Sequence, residues 1–364
     1  MSTFIFRGTL TLLSPLAISL PGSKPASASD PQPPPVTTIY REGEGLVDTV
    51  FLPSASFRGP LRRAGTQAIV RQLREDGKES AFPLRTGYML NIGGTRGRGS
   101  SSLYYDVSAR EALRNRNVQI AVFGAADTGD QYFVPGRLSV DHAHPRTPIS
   151  VAACPAYPGM RTDDMLRSPD KMLSILDADA PSAWDMMFKA STETSAIKKE
   201  RKTVLAQAMK AKAERDSAVH EEKIKRVKEI DAALLDGGQS VAMPLAGYQA
   251  IPTGTILEHR MVLDTDRPAE LGLVLAAIEL FAEDPYLGGH RAHGCGRFLA
   301  RWQLEHRVSR KVTQLGEIVI DGEGFAQMPD TGPIHEAREA FVEAVRNGDF
   351  QYRFEDVADA ADAA

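Results

Sequence analysis

Apolar and polar residues alternate along the first stretch of the chain, Thr3 to Leu13, and this period of two predicts a β-strand. Alternating or fully apolar patterns predict three further strands, at 118–124, 254–264 and 297–305. Helical spacing of apolar residues predicts three helices, at 56–75, 268–282 and 333–346. The pattern therefore predicts a fold built from both helices and strands.

Without the last helix, these elements follow the order strand, helix, strand, strand, helix, strand. That is the β-α-β-β-α-β order of ferredoxin-like folds, so the predicted fold class is α+β with a ferredoxin-like core. The interval 125–253 is too long for a plain loop and predicts large insertions. Within it, 197–235 is rich in charge, lacks Pro and Gly, and carries apolar residues at helical spacing. We expect one long helix or a helical pair there.

A glycine-rich stretch, Gly288 to Phe298, lies between a predicted helix and a predicted strand. Its four glycines within nine residues exclude the interior of a helix or strand and permit positive φ and close approach of a ligand. Arginines and histidines stand between the glycines, and such groups beside bare N–H donors form a cradle for an anion such as phosphate. The candidate binding residues are Gly289, His290, Arg291, His293, Gly294, Gly296 and Arg297.

The start of the helix at 56–75 is a second candidate phosphate site. Ser54 or Ser56 can cap this helix, and three arginines follow in its first turns, namely Arg58, Arg62 and Arg63. Free N–H groups at a helix start bind phosphate, and hydroxyl and guanidinium groups add further donors. Alternatively, the serines are only caps and the arginines are only solvated.

An Arg-Gly-rich segment at 91–102 contains Arg96 and Arg98. It lacks the Gly-Lys-Ser/Thr ending of a loop that binds nucleoside triphosphates. Its arginines are candidate contacts to nucleic acid, and a surface loop without a ligand is the alternative.

Composition and charge narrow the class of protein. The 364 residues carry a formal net charge of −4, so overall charge does not indicate a nucleic-acid binder, although arginine outnumbers lysine and suits bidentate phosphate contacts. Cys154 and Cys295 provide no disulfide framework, which fits a reducing cytoplasm. No apolar stretch reaches the ~18–20 residues of a membrane span, and Thr9 and Thr11 favour a strand over a signal peptide. We expect a cytoplasmic protein with no membrane association.

Several short elements occur in order along residues 3–305. They are Ser14-Pro15-Leu16, Pro53 to Arg62, Phe123-Gly124, Gly136 to Val140, Ile251 to Thr255, and the glycine-rich stretch that ends in Gly294-Cys295-Gly296-Arg297-Phe298. With these elements in this order and spacing, the chain resembles the RAMP-superfamily backbone subunits of CRISPR effector complexes, the Cas7 family. The large charged insertion makes the resemblance greatest to the plasmid-borne type IV class.

This resemblance implies a modified RNA-recognition-motif fold. A palm core would comprise 1–130 and 251–310, with an inserted thumb and helical domain at 131–250 and a C-terminal extension at 311–364 that has one helix and an acidic tail. Copies of such subunits stack head to tail along a guide RNA, and each grips about six nucleotides through phosphate contacts. A thumb hairpin pushes an apolar wedge between bases, and the candidates here are Tyr132, Phe133 and Val134.

The partners implied by the resemblance are the guide crRNA, a target nucleic acid (DNA more than RNA), further copies of the chain, and other CRISPR effector subunits. A head-to-tail contact is heterologous, so it gives an open helical filament instead of a closed ring. The subunit is expected not to be an enzyme and to need no cofactor and no metal.

Three alternative functions stay open. Type III relatives cut target RNA with a loop aspartate, and Asp30 and Asp48 lie in the matching interval, although nucleases usually place several carboxylates around metal ions. A zinc-dependent hydrolase could draw its ligands from two clusters, His142 with His144, and His290 with His293 and Cys295. An unrelated RNA-binding module of the same fold would need stacking aromatics on the sheet face, for which only Phe4 and Phe6 are candidates.

Overall fold

The computed structural model describes residues 2–20, 30–82, 84–94, 107–127, 132–157, 196–197, 199–211, 216–236 and 247–347. These residues form an α+β fold with an antiparallel main sheet and several helices, which confirms the predicted fold class at that level. The chain divides into two compact units, one formed by Met1–Tyr157 with Tyr248–Ala364 and the other by Pro158–Gly247.

In the described part of the chain, every strand belongs to the first unit. In chain order they are β1 (Ser2–Leu12), β2 (Leu16–Ala17), β3 (Val36–Arg41), β4 (Gly45–Val50), β5 (Ala125–Asp127), β6 (Tyr132–Val134), β7 (Leu138–Val140), β8 (His144–Pro145), β9 (Ala156–Tyr157), β10 (Tyr248–Ile251), β11 (Ile256–Asp264), β12 (Phe298–Val308), β13 (Lys311–Ile320) and β14 (Ala326–Gln327). The predicted strands at 3–13, 254–264 and 297–305 are confirmed as β1, β11 and β12.

The helices are numbered in the same way. They are α1 (Ser54–Glu75), α2 (Leu84–Asn91), α3 (Val107–Arg116), α4 (Val118–Phe123), α5 (Ser217–Asp236), α6 (Pro268–Ala282) and α7 (Gly332–Asn347). The predicted helices at 56–75, 268–282 and 333–346 are confirmed as α1, α6 and α7. In the second unit, the described residues 199–211 form a further, unnumbered helix that precedes α5, so the described parts of the charged stretch at 197–235 form a helical pair, one of the two expected arrangements. In the described part of the chain, no helix is both long and apolar enough to span a membrane.

β1 lies at the centre of the main sheet. The strand order is β14-β13-β12-β1-β11-β7, with β8 also pairing with β11, and every pair is antiparallel. One edge of β1 pairs with β12 from Ser2↔Val308 to Leu12↔Phe298. The other edge of β1 pairs with β11 from Thr3↔Asp264 to Thr11↔Ile256. Strands from the distant C-terminal part of the chain therefore hold the first strand on both sides.

Helices α1 and α6 share an apolar core with the main sheet. Side chains alternate along β1, and apolar ones at even positions, such as Phe6 and Leu10, are fully buried in one core with Leu61 of α1. Helix α7 packs against α6, where Gly272 permits close approach because a Cβ atom there would lie 2.0 Å from the carbonyl oxygen of Ala337. The core thus extends from the sheet through α6 to α7.

One titratable side chain, His259 of β11, is buried inside this core. Its ring centroid lies 4.4 Å from that of Phe57, and its Nδ1 accepts a hydrogen bond from the indole N–H of Trp302 at 3.1 Å. Burial lowers the pKa of His259 to about 4. The imidazole is therefore neutral at pH 7, because protonation would place an uncompensated charge among aromatic rings.

The strand predicted at 118–124 is wrong, because this segment forms helix α4. The side chain of Asn117 caps the helix by accepting a hydrogen bond from the Ile120 N–H at 3.0 Å, and Gly124 ends it with a φ of 68°. Every residue of α4 is buried. A short run that is apolar on all sides does not distinguish a buried strand from a buried helix. The strand that pairs with β11 at this edge is β7 instead.

Several strands were not predicted from the sequence, and two parts of the sheet structure are the longest of these. They are the hairpin formed by β3 and β4, and strand β13, which extends the main sheet beyond β12. Both strands of the hairpin carry many exposed positions, and the first half of β13 is exposed as well. Their apolar alternation is therefore weak, and this is the signal on which strand prediction depends.

Candidate nucleic-acid interface

The glycine-rich loop at 288–297 has the backbone conformation that its composition predicts. Gly288, Gly294 and Gly296 have φ values of 71°, 78° and 92°, a region that residues with a side chain rarely adopt. At Gly296 a Cβ atom would lie 2.0 Å from the carbonyl oxygen of Leu287, so no side chain fits there. His290 has a positive φ of 57° although it is not glycine. The loop is thus held in one specific geometry.

Backbone hydrogen bonds join this loop to the segment that follows β1. The Gly289 N–H donates to the Ala17 carbonyl at 2.8 Å, and the Gly296 N–H donates to the Pro15 carbonyl at 2.8 Å. Three further N–H groups donate to carbonyls within the loop itself, those of His293, Gly294 and Cys295. These donors are used inside the protein, so the predicted cradle of bare N–H groups is not formed by these residues.

The two arginines of the loop are exposed but held in position. The guanidinium of Arg291 makes a bidentate ion pair with Asp284 and lies 4.5 Å from the ring centroid of Tyr286. The guanidinium of Arg297 donates to the Gly322 carbonyl at 2.8 Å. Each guanidinium is therefore held in a fixed orientation at the surface, and that of Arg291 is already paired with a carboxylate.

A column of stacked rings stands beside the loop. The ring centroids of Tyr157 and Tyr248 are 5.4 Å apart at an interplanar angle of 18°, and those of Tyr248 and His290 are 3.8 Å apart at 16°. Tyr248 is buried, and burial together with a hydrogen bond to the Cys295 thiol at 3.4 Å raises the pKa of Tyr248 to about 12. His290, at one end of the column, is exposed.

The two tyrosines of the column were missed in the sequence analysis. Tyr157 and Tyr248 are far apart in the sequence, and they meet because β9 and β10 pair with these two residues in register. No local pattern around either residue indicates that pairing, since β9 has only two residues. The structure alone reveals that a histidine of the glycine-rich loop completes an aromatic stack.

Helix α1 begins at Ser54 without a serine cap. Pro53 occupies the N-cap position, and no side chain caps the helix. The Ser54 N–H donates to Nδ1 of His142 at 2.9 Å, and the Ser56 N–H donates to the Pro53 carbonyl at 2.9 Å. The prediction that Ser54 or Ser56 caps the helix is therefore wrong. Both serines lie inside the first turn, and an imidazole from another segment accepts one of the free N–H groups.

Arg62 departs most from the predicted phosphate site. Its side chain is 5% exposed, and its guanidinium donates four hydrogen bonds to backbone carbonyls. The acceptors are Met89 and Leu90, both at 2.6 Å, Phe123 at 3.0 Å and Gly124 at 2.7 Å. Burial and the nearby Arg58 lower the pKa of Arg62 to about 10. The expectation that Arg62 faces solvent or phosphate is wrong, because its donors join α1 to α2 and to the end of α4.

The other two arginines of this helix differ from Arg62. Arg58 is half-buried, and its guanidinium donates to the Phe123 carbonyl at 2.7 Å and lies 5.8 Å from the centroid of that ring. Burial lowers the pKa of Arg58. Arg63 is exposed. Among the three arginines predicted to bind phosphate from α1, Arg63 is therefore the one with an accessible guanidinium.

The start of α1 and the glycine-rich loop lie at the same end of the main sheet. Phe57 is in the first turn of α1, Phe298 directly follows the loop, and their ring centroids are 6.3 Å apart. β1 reaches the same end, since Leu12 pairs with Phe298. Two candidate sites that were predicted separately, more than two hundred residues apart in the sequence, are thus brought together.

The sequence elements that carry the family resemblance also contact one another. In one group, the Arg297 N–H donates to the Ser14 hydroxyl at 2.8 Å, and β2 pairs with β10 beside it. In another, two glycines allow the chain to cross closely, because a Cβ atom on Gly136 would lie 2.7 Å from the nitrogen of Gly124. Elements that are dispersed along the sequence therefore form two compact groups.

Four predicted site residues fall partly or wholly outside the described part of the chain. Arg96 and Arg98 lie outside it entirely, and so do the side chains of Tyr132 and Phe133, whose backbone forms β6. Val134 is described and is buried, so its prediction as an exposed wedge is wrong. The side chain of Val134 packs in a small apolar cluster, where it cannot reach a nucleic acid.

The positions of the described side chains give little support to the alternative functions. Within the described ranges, no group of three or more His, Cys, Asp or Glu side chains is placed to hold a metal ion. Asp48 accepts a hydrogen bond from the Thr38 hydroxyl at 2.6 Å across the β3–β4 hairpin, and Asp30 is exposed. Phe4 and Phe6 are buried, so they provide no stacking surface on the open face of the sheet.

Comparisons with known proteins give the following. No protein-family model matches the sequence, and no curated protein matches it. A solved structure of a Type IV-B CRISPR complex contains a similar chain, with a TM-score of 0.40 and 16% identity over 86% of this chain and 90% of that chain. The crystal structure of Csc2 from Thermofilum pendens is similar with a TM-score of 0.32 and 12% identity, over 99% of this chain and 75% of that chain. At these scores the likenesses carry no functional weight, so function has to follow from the residues themselves.

Proposed function

We propose that this chain is a non-catalytic backbone subunit of a CRISPR ribonucleoprotein effector complex. It polymerises head to tail along the guide crRNA, grips the RNA phosphates without reading their sequence, and leaves the bases available to pair with a target nucleic acid. Its partners in this proposal are the guide, the target, further copies of the chain and other effector subunits.

The meeting of the glycine-rich loop with the first turns of α1 carries this proposal. Arg291 and Arg297 in the loop and Arg63 on α1 have exposed side chains, and the exposed ring of His290 in the loop is stacked on the buried ring of Tyr248. Guanidinium groups bind phosphate oxygens, and rings stack on bases. Exposed cations together with an exposed ring favour a single-stranded nucleic acid over a small-molecule substrate.

The strand order supports a ferredoxin-like core. With β7 as the second strand, the series β1, α1, β7, β11, α6, β12 has the predicted β-α-β-β-α-β order, and these strands lie side by side as β12-β1-β11-β7. In this proposal the predicted unit keeps its order, and its second strand moves from 118–124 to Leu138–Val140. β13 and β14 then extend the unit at one edge.

The salt dependence of RNA binding tests the proposed phosphate contacts. Each arginine that contacts a phosphate contributes about 1 to the slope of log affinity against log salt concentration. Arg63→Ala is therefore expected to weaken the binding of single-stranded RNA and to reduce this slope by about 1. Arg310 is a matched control, because it is also exposed but lies beyond the far end of β12, about 30 Å away along the strand. Fluorescence anisotropy with a labelled RNA measures both variants.

Co-expression with a CRISPR array completes the test. The wild-type chain is expected to co-purify with guide RNA that is protected from nuclease at regular intervals, because copies repeated along the guide shield it at a constant spacing. A wild-type chain that binds no RNA at low salt contradicts the proposal. The proposal is also contradicted if Arg310→Ala lowers the affinity and the slope while Arg63→Ala does not.

A further inference from the structure

His290 is held against Tyr248 by an unusual backbone conformation. Its φ of 57° is rare for a residue with a side chain, and it occurs here between glycines that also have positive φ. The conformation places the imidazole 3.8 Å from the Tyr248 ring, with Tyr157 also stacked on Tyr248 at 5.4 Å. Residues held in rare backbone conformations are concentrated at ligand sites. The exposed end of this column is therefore a candidate ligand site.

The outer face of the His290 ring is not covered by the neighbouring His293. The ring centroid of His293 lies 5.6 Å from that of His290 and 6.4 Å from that of Tyr248. Together with the 3.8 Å between Tyr248 and His290, these distances place His293 nearly at a right angle to the stacking axis. His293 thus lies beside the column, and His290 stays exposed at its end.

The charge state of His290 suits a ring better than an anion. Partial burial, and then the neighbouring His293, lowers the pKa of His290, so the imidazole is neutral at pH 7. A neutral imidazole attracts phosphate weakly but offers a flat surface for stacking. Arg291, next in the chain, and Arg297 supply cations nearby for the adjoining phosphates. A flat ring with guanidinium groups close by matches a base and its backbone.

We propose that an unpaired nucleobase of single-stranded RNA stacks on the outer face of His290 and extends the Tyr157–Tyr248–His290 column by one ring. This inference rests on the proposed function, because the same loop has to lie along the RNA. It gives His290 a base-stacking role in place of the phosphate contact predicted from the sequence. Stacking of this kind accepts any base, which suits a subunit that binds guides of many sequences.

The test uses the full chain and single-stranded RNAs in which 2-aminopurine replaces one base at a time, because stacking quenches the fluorescence of this base. His290→Asn removes the ring and tolerates positive φ, whereas His290→Phe keeps a ring. Wild type and His290→Phe are expected to quench the probe at a stacked position. His290→Asn is expected to abolish this quenching and to weaken binding by about 5- to 150-fold. Arg310→Ala, beyond the far end of β12, is the control and should keep both the quenching and the affinity.

The outcomes separate this inference from the proposed function. RNA that binds to the wild type with no quenched position, or equal quenching by wild type and His290→Asn, overturns the stacking inference and leaves the proposed function standing. A wild type that binds no single-stranded RNA overturns both. Where melting shows that a variant does not fold, ultraviolet crosslinking of RNA to the wild type decides. A crosslinked peptide that contains His290 supports the inference, and crosslinks found only elsewhere overturn it.

Discussion

Arg62 and Arg63 are neighbours on α1, and about 100° of rotation separates their side chains on the helix. Arg62 points into the protein and donates to four backbone carbonyls, whereas Arg63 is exposed. The sequence predicted arginines at the helix start but not their different environments. The carbonyls that bury Arg62 come from 89–90 and 123–124, and no pattern near Arg62 indicates that these segments surround it.

Arg62→Met is expected to destabilise the protein by about 3–5 kcal/mol, because several buried carbonyls lose their donor at once. Methionine fills part of the volume, so the loss reflects hydrogen bonds more than a cavity. Urea denaturation followed by circular dichroism measures the change in the free energy of unfolding. Arg63→Met is the matched control on the next residue, and it should stay within about 0.5 kcal/mol of wild type. Equal stabilities of the two variants would show that the Arg62 hydrogen bonds contribute nothing.

At the scale of single elements, the glycine-rich loop contains two glycines with different requirements. Gly296 combines a φ of 92° with the Leu287 carbonyl oxygen 2.0 Å from the site of a Cβ atom. Gly294 has a φ of 78° but nothing within 4 Å of that site. A side chain at Gly296 is therefore excluded by both conformation and space, whereas one at Gly294 is opposed by conformation alone.

Gly296→Ala is expected to cost about 2–4 kcal/mol of unfolding free energy, and Gly294→Ala about 1 kcal/mol. Gly294→Asn should cost less than Gly294→Ala, because asparagine adopts positive φ more readily. Urea titration of the three variants gives the ranking. The expectation fails if Gly294→Ala proves as damaging as Gly296→Ala, since the clash with Leu287 would then have no effect.

The elements also differ in how far the sequence could predict them. β1, β11 and β12 were predicted because one face of each is buried and the alternation is clear. The positive φ values of the glycine-rich loop were predicted from its composition. Its bare N–H donors were not confirmed, because their acceptors Pro15 and Ala17 lie near the other end of the sequence. Partners that are distant in the sequence decide such details, and a single sequence does not display them.

At the scale of the whole molecule, two exposed apolar patches stand out among the described residues of the first unit. One lies on the β3–β4 hairpin, where Tyr40 and Leu46 pair directly across the strands and are 74% and 77% exposed. Glu42, Glu44 and Asp48 are exposed around this pair. Acidic side chains repel RNA phosphates, so this patch suits a protein partner better than an RNA base.

The second patch lies along α2 and the residue that follows it. Leu84, Tyr88 and Ile92 are spaced four residues apart, so they share one helix face, and all three are exposed. A head-to-tail contact needs two different surfaces on each copy, and a hairpin patch and a helix patch meet that requirement. For the proposed filament, we expect the hairpin of one copy to dock on the α2 face of the next.

Two double variants test this docking. Tyr40→Asp with Leu46→Asp, and Leu84→Asp with Ile92→Asp, are each expected to stop filament growth on a guide RNA while leaving the fold intact, because all four side chains are exposed. In a mixture of the two variants, the intact hairpin of one copy can dock on the intact α2 face of another. Only that one contact can form, so the mixture is expected to give pairs. Analytical ultracentrifugation distinguishes pairs from single copies and from filaments. Undiminished filaments in either variant alone would refute this docking.

The position of β1 has a consequence for the synthesis of the protein on the ribosome. Both neighbours of β1 are translated long after it, and β12 emerges about 15 to 60 seconds later at ordinary rates of synthesis. Throughout that delay the nascent chain carries an apolar strand with two unpaired edges, which is the kind of segment that aggregates unless a chaperone covers it. The strand at the centre of the folded sheet is therefore also a segment of the nascent chain that needs a chaperone to prevent aggregation.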